Sequence, residues 1–278
     1  MRIEFLKMQG LGNDFVIFDA FAGASETRLN SATLRALSDR HLGIGFDQAL
    51  MLESPRDGVS RAFYRIFNSD GSEVEQCGNG ARCIAALLYA RSPGLGRDMA
   101  LASAAGLVHA RVLEDGRVSV DMGVPNFDPP SLPMQAAVEA SVYSLRVNGA
   151  EVRIGAVSMG NPHAVLTVPD VKTAPVALLG PSIEHHPHFP HRANVGFMQI
   201  LDRGHIRLRV HERGAGETLA CGTGAGAAVA VGRRRGLLDE SVKVDLPGGT
   251  ALVSWPGPGA PLWLTGPATT VFTGSIDI

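Results

Sequence analysis

The sequence predicts an α+β protein built from two pseudo-symmetric, mainly antiparallel β halves, each carrying a helix that starts at a cysteine. Three observations carry this reading. The motif Cys77-Gly78-Asn79-Gly80 returns, loosened, as Cys221-Gly222-Thr223-Gly224, 144 positions later. Hairpin signals occur on both sides of the midpoint, with Asp115-Gly116 and Asn148-Gly149 each set between alternating runs. Finally, Pro125, Pro129, Pro130 and Pro133 crowd one stretch, which marks a crossover between halves near residues 120–135.

Taken in order, residues 2–8 alternate apolar and polar side chains as a strand does, and a second strand over 14–19 follows the Gly10-Leu11-Gly12-Asn13 turn. Asn30 and Ser31 offer an N-cap for a helix over 32–41, with Leu34 and Leu37 on one side and Arg35 and Arg40 on the other. Gly43-Ile44-Gly45 ends it. Strands over 48–53 and 61–68 pair, and the Ser69-Asp70-Gly71 turn delivers the first cysteine motif. Its Gly-x-Gly turn leads into an Ala-rich helix over 84–90, closed by the loop at 92–96. Strands over 107–112 and 117–122 complete the first half. Beyond the prolines come strands over 142–147, 151–157, 164–168 and 206–211, then the second cysteine and a helix over 227–231. Arg233-Arg234-Arg235 ends that helix, where cations complement the negative end of the dipole.

The repeat extends beyond the cysteines. Glu73 and Glu217, like Asn68 and Glu212, are 144 positions apart, while Gln48 and Asn194 differ by 146 and Asn13 and Asn161 by 148. Such drift is what loop insertions between duplicated units produce, and two copies of this length exclude a solenoid. The halves are therefore set at 1–120, completed by a C-terminal strand over 267–278, and 121–266, with the ligand site expected in the cleft between them.

Bulk properties narrow the partners. A chain of 278 residues with 45% hydrophobic content buries a real core, and a formal net charge of −2 gives no electrostatic reason to expect nucleic acid or an anionic membrane. No apolar run is long enough to span a bilayer, so we expect a cytoplasmic protein acting on a small molecule. Three cysteines do not form a disulfide framework, and reduced thiols are the default.

Each motif thiol opens a helix, where unpaired N–H groups and the positive dipole end favour a thiolate and can hold a carboxylate. Two such thiols on opposite sides of a bound carbon suit stereochemical inversion, one removing a proton and the other supplying one. The same N–H groups stabilise charge that develops on the substrate carboxylate.

With the Gly-Asn-Asp of residues 12–14, Glu73-x-x-x-Cys77-Gly78-Asn79-Gly80-Ala81-Arg82-Cys83, Gly160-Asn161-Pro162-His163, Glu212-Arg213-Gly214 and Ala220-Cys221-Gly222-Thr223-Gly224, the chain resembles the diaminopimelate epimerase family over essentially its whole length. The resemblance implies that family's barrel-like two-domain fold and a cofactor-independent interconversion of LL- and meso-2,6-diaminopimelate in lysine and peptidoglycan precursor synthesis. It implies Cys77 and Cys221 as the acid/base pair. Substrate contacts would fall on Asn13, Gln48, Asn68, Gly78, Asn79, Asn161, Asn194, Glu212, Arg213, Gly222 and Thr223, with His163 and Glu212 close to the reacting centre. It also implies a homodimer.

Other signals have plainer readings. Cys83 reads as a small buried hydrophobe. His185, His186, His188 and His191 invite a metal, but Pro187 and Pro190 interrupt them and the reading is an exposed loop with no metal. Gly222-Thr223-Gly224-Ala225-Gly226-Ala227 satisfies a dinucleotide fingerprint, yet ten residues separate it from the preceding strand end at His211, too many for the tight turn required. A proline-type two-cysteine racemase and a catalytically silent two-lobed binder remain the alternatives.

Overall fold

A computed structural model describes residues 2–21, 29–75, 77–136 and 138–278. The chain divides into unit 1, Met1–Val120 with Gly266–Ile278, and unit 2, Asp121–Thr265.

Unit 1 opens with strands β1 (Arg2–Gly10) and β2 (Asn13–Asp19), antiparallel and joined by Leu11 and Gly12, both at positive φ (59° and 80°). That two-residue turn matches the twist of its flanking strands. Helix α1 (Ser31–Ser38) is capped by Asn30, whose side chain accepts from the Thr33 N–H at 2.9 Å. It stops short of the expected 41 because the Asp39 carboxylate takes the N–H groups of His41 and Leu42 and turns the chain away. Strands β3 (Gln48–Glu53), β4 (Phe63–Asn68) and β5 (Glu73–Val74) lead to helix α2 (Gly78–Arg91), and β6 (Asp98–Ser103), β7 (Gly106–Val112) and β8 (Val118–Asp121) follow.

Alternation sorts this sheet's two faces. Met8, Phe15, Ile17, Leu50, Leu52, Tyr64 and Ile66 join the core around α2, whereas Ile3, Phe5, Val16, Phe18, Ala49 and Phe67 pack with Leu34 and Leu37 of α1. Helix α2 is buried without a break from Asn79 to Ala85, so strands enclose it rather than flank it.

Unit 2 repeats the plan. Strands β9 (Tyr143–Val147) and β10 (Ala150–Ser158) meet at Asn148 and Gly149, again both at positive φ (51° and 82°). Next come β11 (Pro162–Thr167), helix α3 (Val176–Glu184), β12 (Asn194–Asp202), β13 (His205–Glu212) and β14 (Gly216–Thr218). Helix α4 (Gly222–Arg234) is buried from Gly224 to Gly232, and β15 (Ser241–Leu246), β16 (Gly249–Ser254) and β17 (Trp263–Gly266) follow. The last strand, β18 (Thr269–Asp277), belongs to unit 1 and runs antiparallel to β1, with Arg2 opposite Asp277 and Gln9 opposite Thr269.

Matching ladders show the duplication. Parallel pairs β2–β3 and β11–β12 set Phe15 opposite Gln48 and His163 opposite Asn194. In each unit an arginine forks onto a glutamate of the next short strand: Arg65 Nη2 lies 2.7 Å from Glu73 Oε2, and Arg209 Nη2 lies 2.7 Å from Glu217 Oε2.

The structure departs from the sequence expectations in three respects. Antiparallel ladders dominate, but β2–β3, β4–β6, β11–β12 and β13–β15 are parallel, joined by connections too long for hairpin signals to report. Elements β5, β6, α3, β12, β14, β16 and β17 correspond to no expectation. Helices α2 and α4 start at their cysteines, as expected, but the Gly-x-Gly segments that read as turns before the apolar runs at 84 and 227 are the first turns of the helices themselves. A Cβ on Gly80 would meet Leu50 Cδ2 at 3.2 Å, and one on Gly224 would meet Val210 Cγ2 at 3.0 Å, so close approach to the sheet offsets the roughly 1 kcal/mol that glycine costs in a helix. Among the described residues no helix is long and apolar enough to cross a membrane.

Helix α4 rests on β10 through Gly155, where an added Cβ would come within 2.3 Å of Val231 Cγ1. Gly155→Ala is therefore expected to lower stability by about 1–3 kcal/mol in urea denaturation. Adding Val231→Ala should recover part of that loss, and a double variant no more stable than Gly155→Ala would contradict this packing.

Candidate active site

In unit 1 the helix start and the first hairpin converge. Cys77 is the N-cap residue of α2, with extended backbone at φ −147° and ψ 109°, and is half-buried. Its thiol donates to Asn13 Oδ1 at 3.9 Å, and Asn79 Nδ2 donates to the same oxygen at 3.2 Å. Arg82 Nη2 donates to Asn79 Oδ1 at 2.8 Å, which fixes that amide with its nitrogen towards Asn13. Asn13 Nδ2 in turn donates to Asp47 Oδ2 at 3.0 Å. Gln48 and Asn68 form a second pair across β3 and β4, with Gln48 Nε2 donating to Asn68 Oδ1 at 3.0 Å. Gly78 supplies the first backbone N–H of the helix.

Behind Asn13 lies a charged cluster that the sequence reading left unassigned. Lys7, 7% exposed, pairs with Asp14 at 2.6 Å, and its ammonium also donates to the Gly45 carbonyl. Arg40 bridges Asp14 and Asp47, at 2.8 Å from each. Burial pushes the Asp14 carboxyl up, but the bonds and charges of Arg40 and Lys7 outweigh it and hold it well below the usual carboxylate range. A signal for this existed: Ile3, Phe5 and Lys7 share one face of β1, so alternation places a lysine inside and demands a carboxylate partner.

In unit 2 the corresponding residues also gather. Cys221 is the N-cap of α4, 4% exposed, and its sulfur accepts from the Gly224 N–H at 3.3 Å. Thr223 Oγ1 lies 3.5 Å from that sulfur and accepts from Asn161 Nδ2 at 3.5 Å. His163 Nε2 is 2.9 Å from Asn161 Oδ1, so this nitrogen carries the proton; Asn194 Nδ2, 3.5 Å away, has its nearer acceptor in the Pro162 carbonyl at 3.3 Å. Asn194 Oδ1 accepts from the Arg213 N–H at 2.9 Å, and Arg213 Nη1 donates to the His191 carbonyl at 3.2 Å. Thr218 holds Glu212 by a hydrogen bond to Oε1, and Gly222 provides the first helical N–H.

A buried pair anchors the turn that carries Arg213. Glu184, at the end of α3, accepts from the Gly214 N–H at 3.0 Å and lies 2.8 Å from His211 Nε2, with both side chains buried. Burial raises its carboxyl, yet the His211 and Gly214 bonds bring it below the ordinary range. Neither residue was singled out in the sequence, because Glu184 is brought to His211 by a helix that the sequence reading did not foresee.

Electrostatics divide the cysteines. Burial, and then the Glu212 carboxylate, push the Cys221 thiol well above its usual value, so Cys221 keeps its proton. Burial drives Cys83 up to about 12, consistent with an inert core thiol. The histidine cluster lies in the turn after α3: His185 and His191 are exposed, whereas His186 and His188 are half-buried with rings 4.9 Å apart. Among the described residues no group of three or more His, Cys, Asp or Glu is placed to hold a metal ion.

Comparison with known proteins follows from these features. The profile of the family described as Diaminopimelate epimerase matches residues 5–127 and 155–271. A diaminopimelate epimerase of Thioalkalivibrio sulfidiphilus is 56% identical over 280 residues, covering 100% of both chains. One from Nitrosomonas eutropha is 53% identical over 279 residues, again covering 100% of both. Among solved structures, a hydroxyproline epimerase from Agrobacterium vitis with bound trans-4-hydroxy-L-proline gives a TM-score of 0.70 at 18% identity, covering 99% of this chain and 92% of that one. A phenazine biosynthesis protein of the PhzF family from Bacillus anthracis gives 0.66 at 18% identity, covering 100% of both. At such identities these two establish the fold.

His163 yields a pH signature. Burial, and then the charge of Arg213, lower its pKa from 6.5 to about 3. The unfolded chain therefore takes up this proton first, and the stability tied to the neutral ring, whole above about pH 6.5, is lost at up to about 1.4 kcal/mol per pH unit as pH falls towards about 3. Urea titrations should show a shallower loss between pH 6.5 and 5 in His163→Gln than in the parent protein. Equal slopes would mean that the ring is charged in the fold.

Proposed function

Because the chain belongs to the diaminopimelate epimerase family, we propose that it interconverts LL- and meso-2,6-diaminopimelate by paired proton transfers at Cys77 and Cys221, with neither metal nor organic cofactor, in the supply of lysine and peptidoglycan precursors. The observation that supports this reading best is the duplicated helix start. Each unit presents one thiol as the N-cap of an enclosed helix, with asparagine amides hydrogen-bonded around it.

Inversion of a carbon that bears hydrogen needs a base on one face and an acid on the other. One sulfur, as thiolate, takes the α-proton, so that a C–H bond breaks and an S–H bond forms. The other, as thiol, gives its proton to the opposite face of the resulting carbanion, so that an S–H bond breaks and a C–H bond forms. After one turnover the two protonation states have exchanged, and the reverse reaction uses the sulfurs in opposite roles. Cys221, held protonated by burial and by Glu212, is suited to begin as the acid.

The remaining residues divide by what the substrate carries. The first-turn N–H groups that follow Cys77 and Cys221, including those of Gly78, Asn79, Gly222 and Thr223, suit the α-carboxylate and the charge that develops on it. Glu212 matches an ammonium. Arg213 offers a planar fork to the distal carboxylate, and the amides of Asn13, Gln48, Asn68, Asn161 and Asn194 can serve either a carboxylate or an ammonium group. Neutral His163 orients Asn161 by a hydrogen bond and adds no charge near the thiol.

Two measurements test this. Supplied with LL-diaminopimelate or L-proline and no added cofactor, the protein is expected to turn over only the first. Activity on proline alone would replace the substrate assignment, and inactivity on both would favour a silent binder. In D₂O the newly formed meso product should carry solvent deuterium at the inverted carbon from the first turnovers, and Cys77→Ser or Cys221→Ser should each cut kcat by about 10²–10⁴-fold with the circular dichroism unchanged. Mainly protiated product would mean a single group shuttling one proton.

A further inference from the structure

The turn between β13 and β14 lies in solvent, yet its backbone is gripped from the interior. Arg213, Gly214 and Ala215 are exposed, so water alone would satisfy their N–H groups. The Ala215 N–H closes the turn on the Glu212 carbonyl at 3.1 Å. The other two N–H groups turn inward: that of Arg213 donates to Asn194 Oδ1 at 2.9 Å and that of Gly214 to Glu184 Oε1 at 3.0 Å. Asn194 on β12 and Glu184 at the end of α3 are each only 3% exposed.

Burying a carboxylate to hold an exposed turn is costly, and the fold builds a seat for it. His211 Nε2 lies 2.8 Å from Glu184 Oε2, with Arg192 Nη1 and His185 Nδ1 further off, at 3.8 and 3.9 Å from the same carboxylate. Gly180 lets α3 close over the imidazole, since a Cβ there would fall 2.6 Å from His211 Cγ. Apolar side chains of similar volume often give equal or greater stability than a buried ion pair, so bulk stability does not require this arrangement.

Unit 1 has the same joint without the buried charge. Ser38, at the end of α1, stands 146 positions before Glu184, while Phe67 and Ser69 stand 144 positions before His211 and Arg213. There Ser38 Oγ donates to the Ser69 carbonyl at 2.8 Å, and Arg35 Nη2 donates to the Asp70 carbonyl at 3.1 Å. A helix end holds the turn in both units. In unit 2 it does so with a buried anion, and the turn it holds carries an arginine.

Glu212 and Arg213 are adjacent but differently fixed. Glu212 lies within the β13–β14 ladder, opposite Gly216, and Thr218 holds its carboxylate. Arg213 stands outside that ladder. Its place depends on the two inward bonds, together with that of Nη1 to the His191 carbonyl at 3.2 Å.

We infer that Glu184, seated on His211, is a positioning residue that holds the Arg213 guanidinium in a set place relative to Glu212 and so enforces the demand for a second carboxylate on the substrate. The inference rests on the assignment of Glu212 and Arg213 to the substrate given above. A preorganised arm lowers the ordering that binding requires and leaves the proton transfers untouched.

Steady-state kinetics with LL-diaminopimelate on the full chain test this. Glu184→Ala should raise KM roughly 3–10-fold with kcat within about twofold of the parent, because the loosened arm serves ground state and transition state alike. Glu184→Gln keeps an acceptor for the Gly214 N–H and should restore KM to within about twofold. In an Arg213→Met background, Glu184→Ala should raise KM no further. An unmoved KM, a multiplied effect in the Arg213→Met background, or a Glu184→Gln protein as weak as Glu184→Ala overturns the inference. Amide hydrogen exchange separates positioning from bulk stability: faster exchange in Glu184→Ala should be confined to the Arg213 turn and the end of α3, and acceleration throughout unit 2 overturns the inference. Should Glu184→Ala not fold, Glu184→Met/His211→Phe removes both buried polar partners together and should give the same rise in KM, its absence again overturning the inference. A parent protein inactive on LL-diaminopimelate would strike the proposed function and this inference with it, whereas an active parent with an unmoved KM in the variants removes only the role of Glu184.

Discussion

Both units depend on a helix that strands enclose. A helix buried on every side has no polar face, so α4 is built from Gly224-Ala225-Gly226-Ala227-Ala228-Val229-Ala230-Val231-Gly232, and α2 carries Ala81, Cys83, Ile84 and Ala85 in the same role. Small residues let strands approach closely, as Gly155 shows against Val231. The same enclosure concentrates polarity at one end. With the flanks sealed, the first-turn N–H groups and the N-cap sulfur are where each helix meets polar chemistry.

Holding those polar ends in register takes charges that the fold would otherwise avoid burying. In unit 1 Lys7, Asp14, Arg40 and Asp47 form a continuous set that ends on the Asn13 amide. In unit 2 Glu184 and His211 fix the Gly214 backbone, and Asn194 fixes that of Arg213. Removing one member of a buried pair typically costs about 3–5 kcal/mol, a cost that falls on Lys7–Asp14 and on Glu184–His211 rather than on the half-exposed Arg40 and Asp47. Both sets give the neighbouring amides a chosen orientation before any ligand arrives, which lowers the reorganisation that binding requires.

Much of this was legible in the sequence, for identifiable reasons. Local chemistry announces itself: two-residue turns at Leu11-Gly12 and Asn148-Gly149, the Asn30 cap, and above all the repeated Cys-Gly-x-Gly, because a helix start has a short-range signature. Long-range consequences do not. The parallel ladders join strands through connections whose length hides the pairing, and α3 carries Pro181 within it and lacks a capping side chain, so periodicity alone did not reveal it. The glycines after each cysteine read as turns, since their helical placement is decided by Leu50 and Val210 across the core. Arg82 was visible as part of a motif, but its full burial against the Asn79 amide is a property of the enclosed core and not of any spacing.

One consequence concerns the order in which the protein can assemble during synthesis. Unit 2 is one uninterrupted stretch from Asp121 to Thr265, whereas unit 1 is completed by β18, whose Asp277 sits opposite Arg2. A growing chain therefore holds all of unit 2 before β1 can receive the partner that covers its other edge. Until then Phe5 waits without Phe272, which packs edge-on to it at 6.0 Å, and the first half of the protein emerges first yet finishes last.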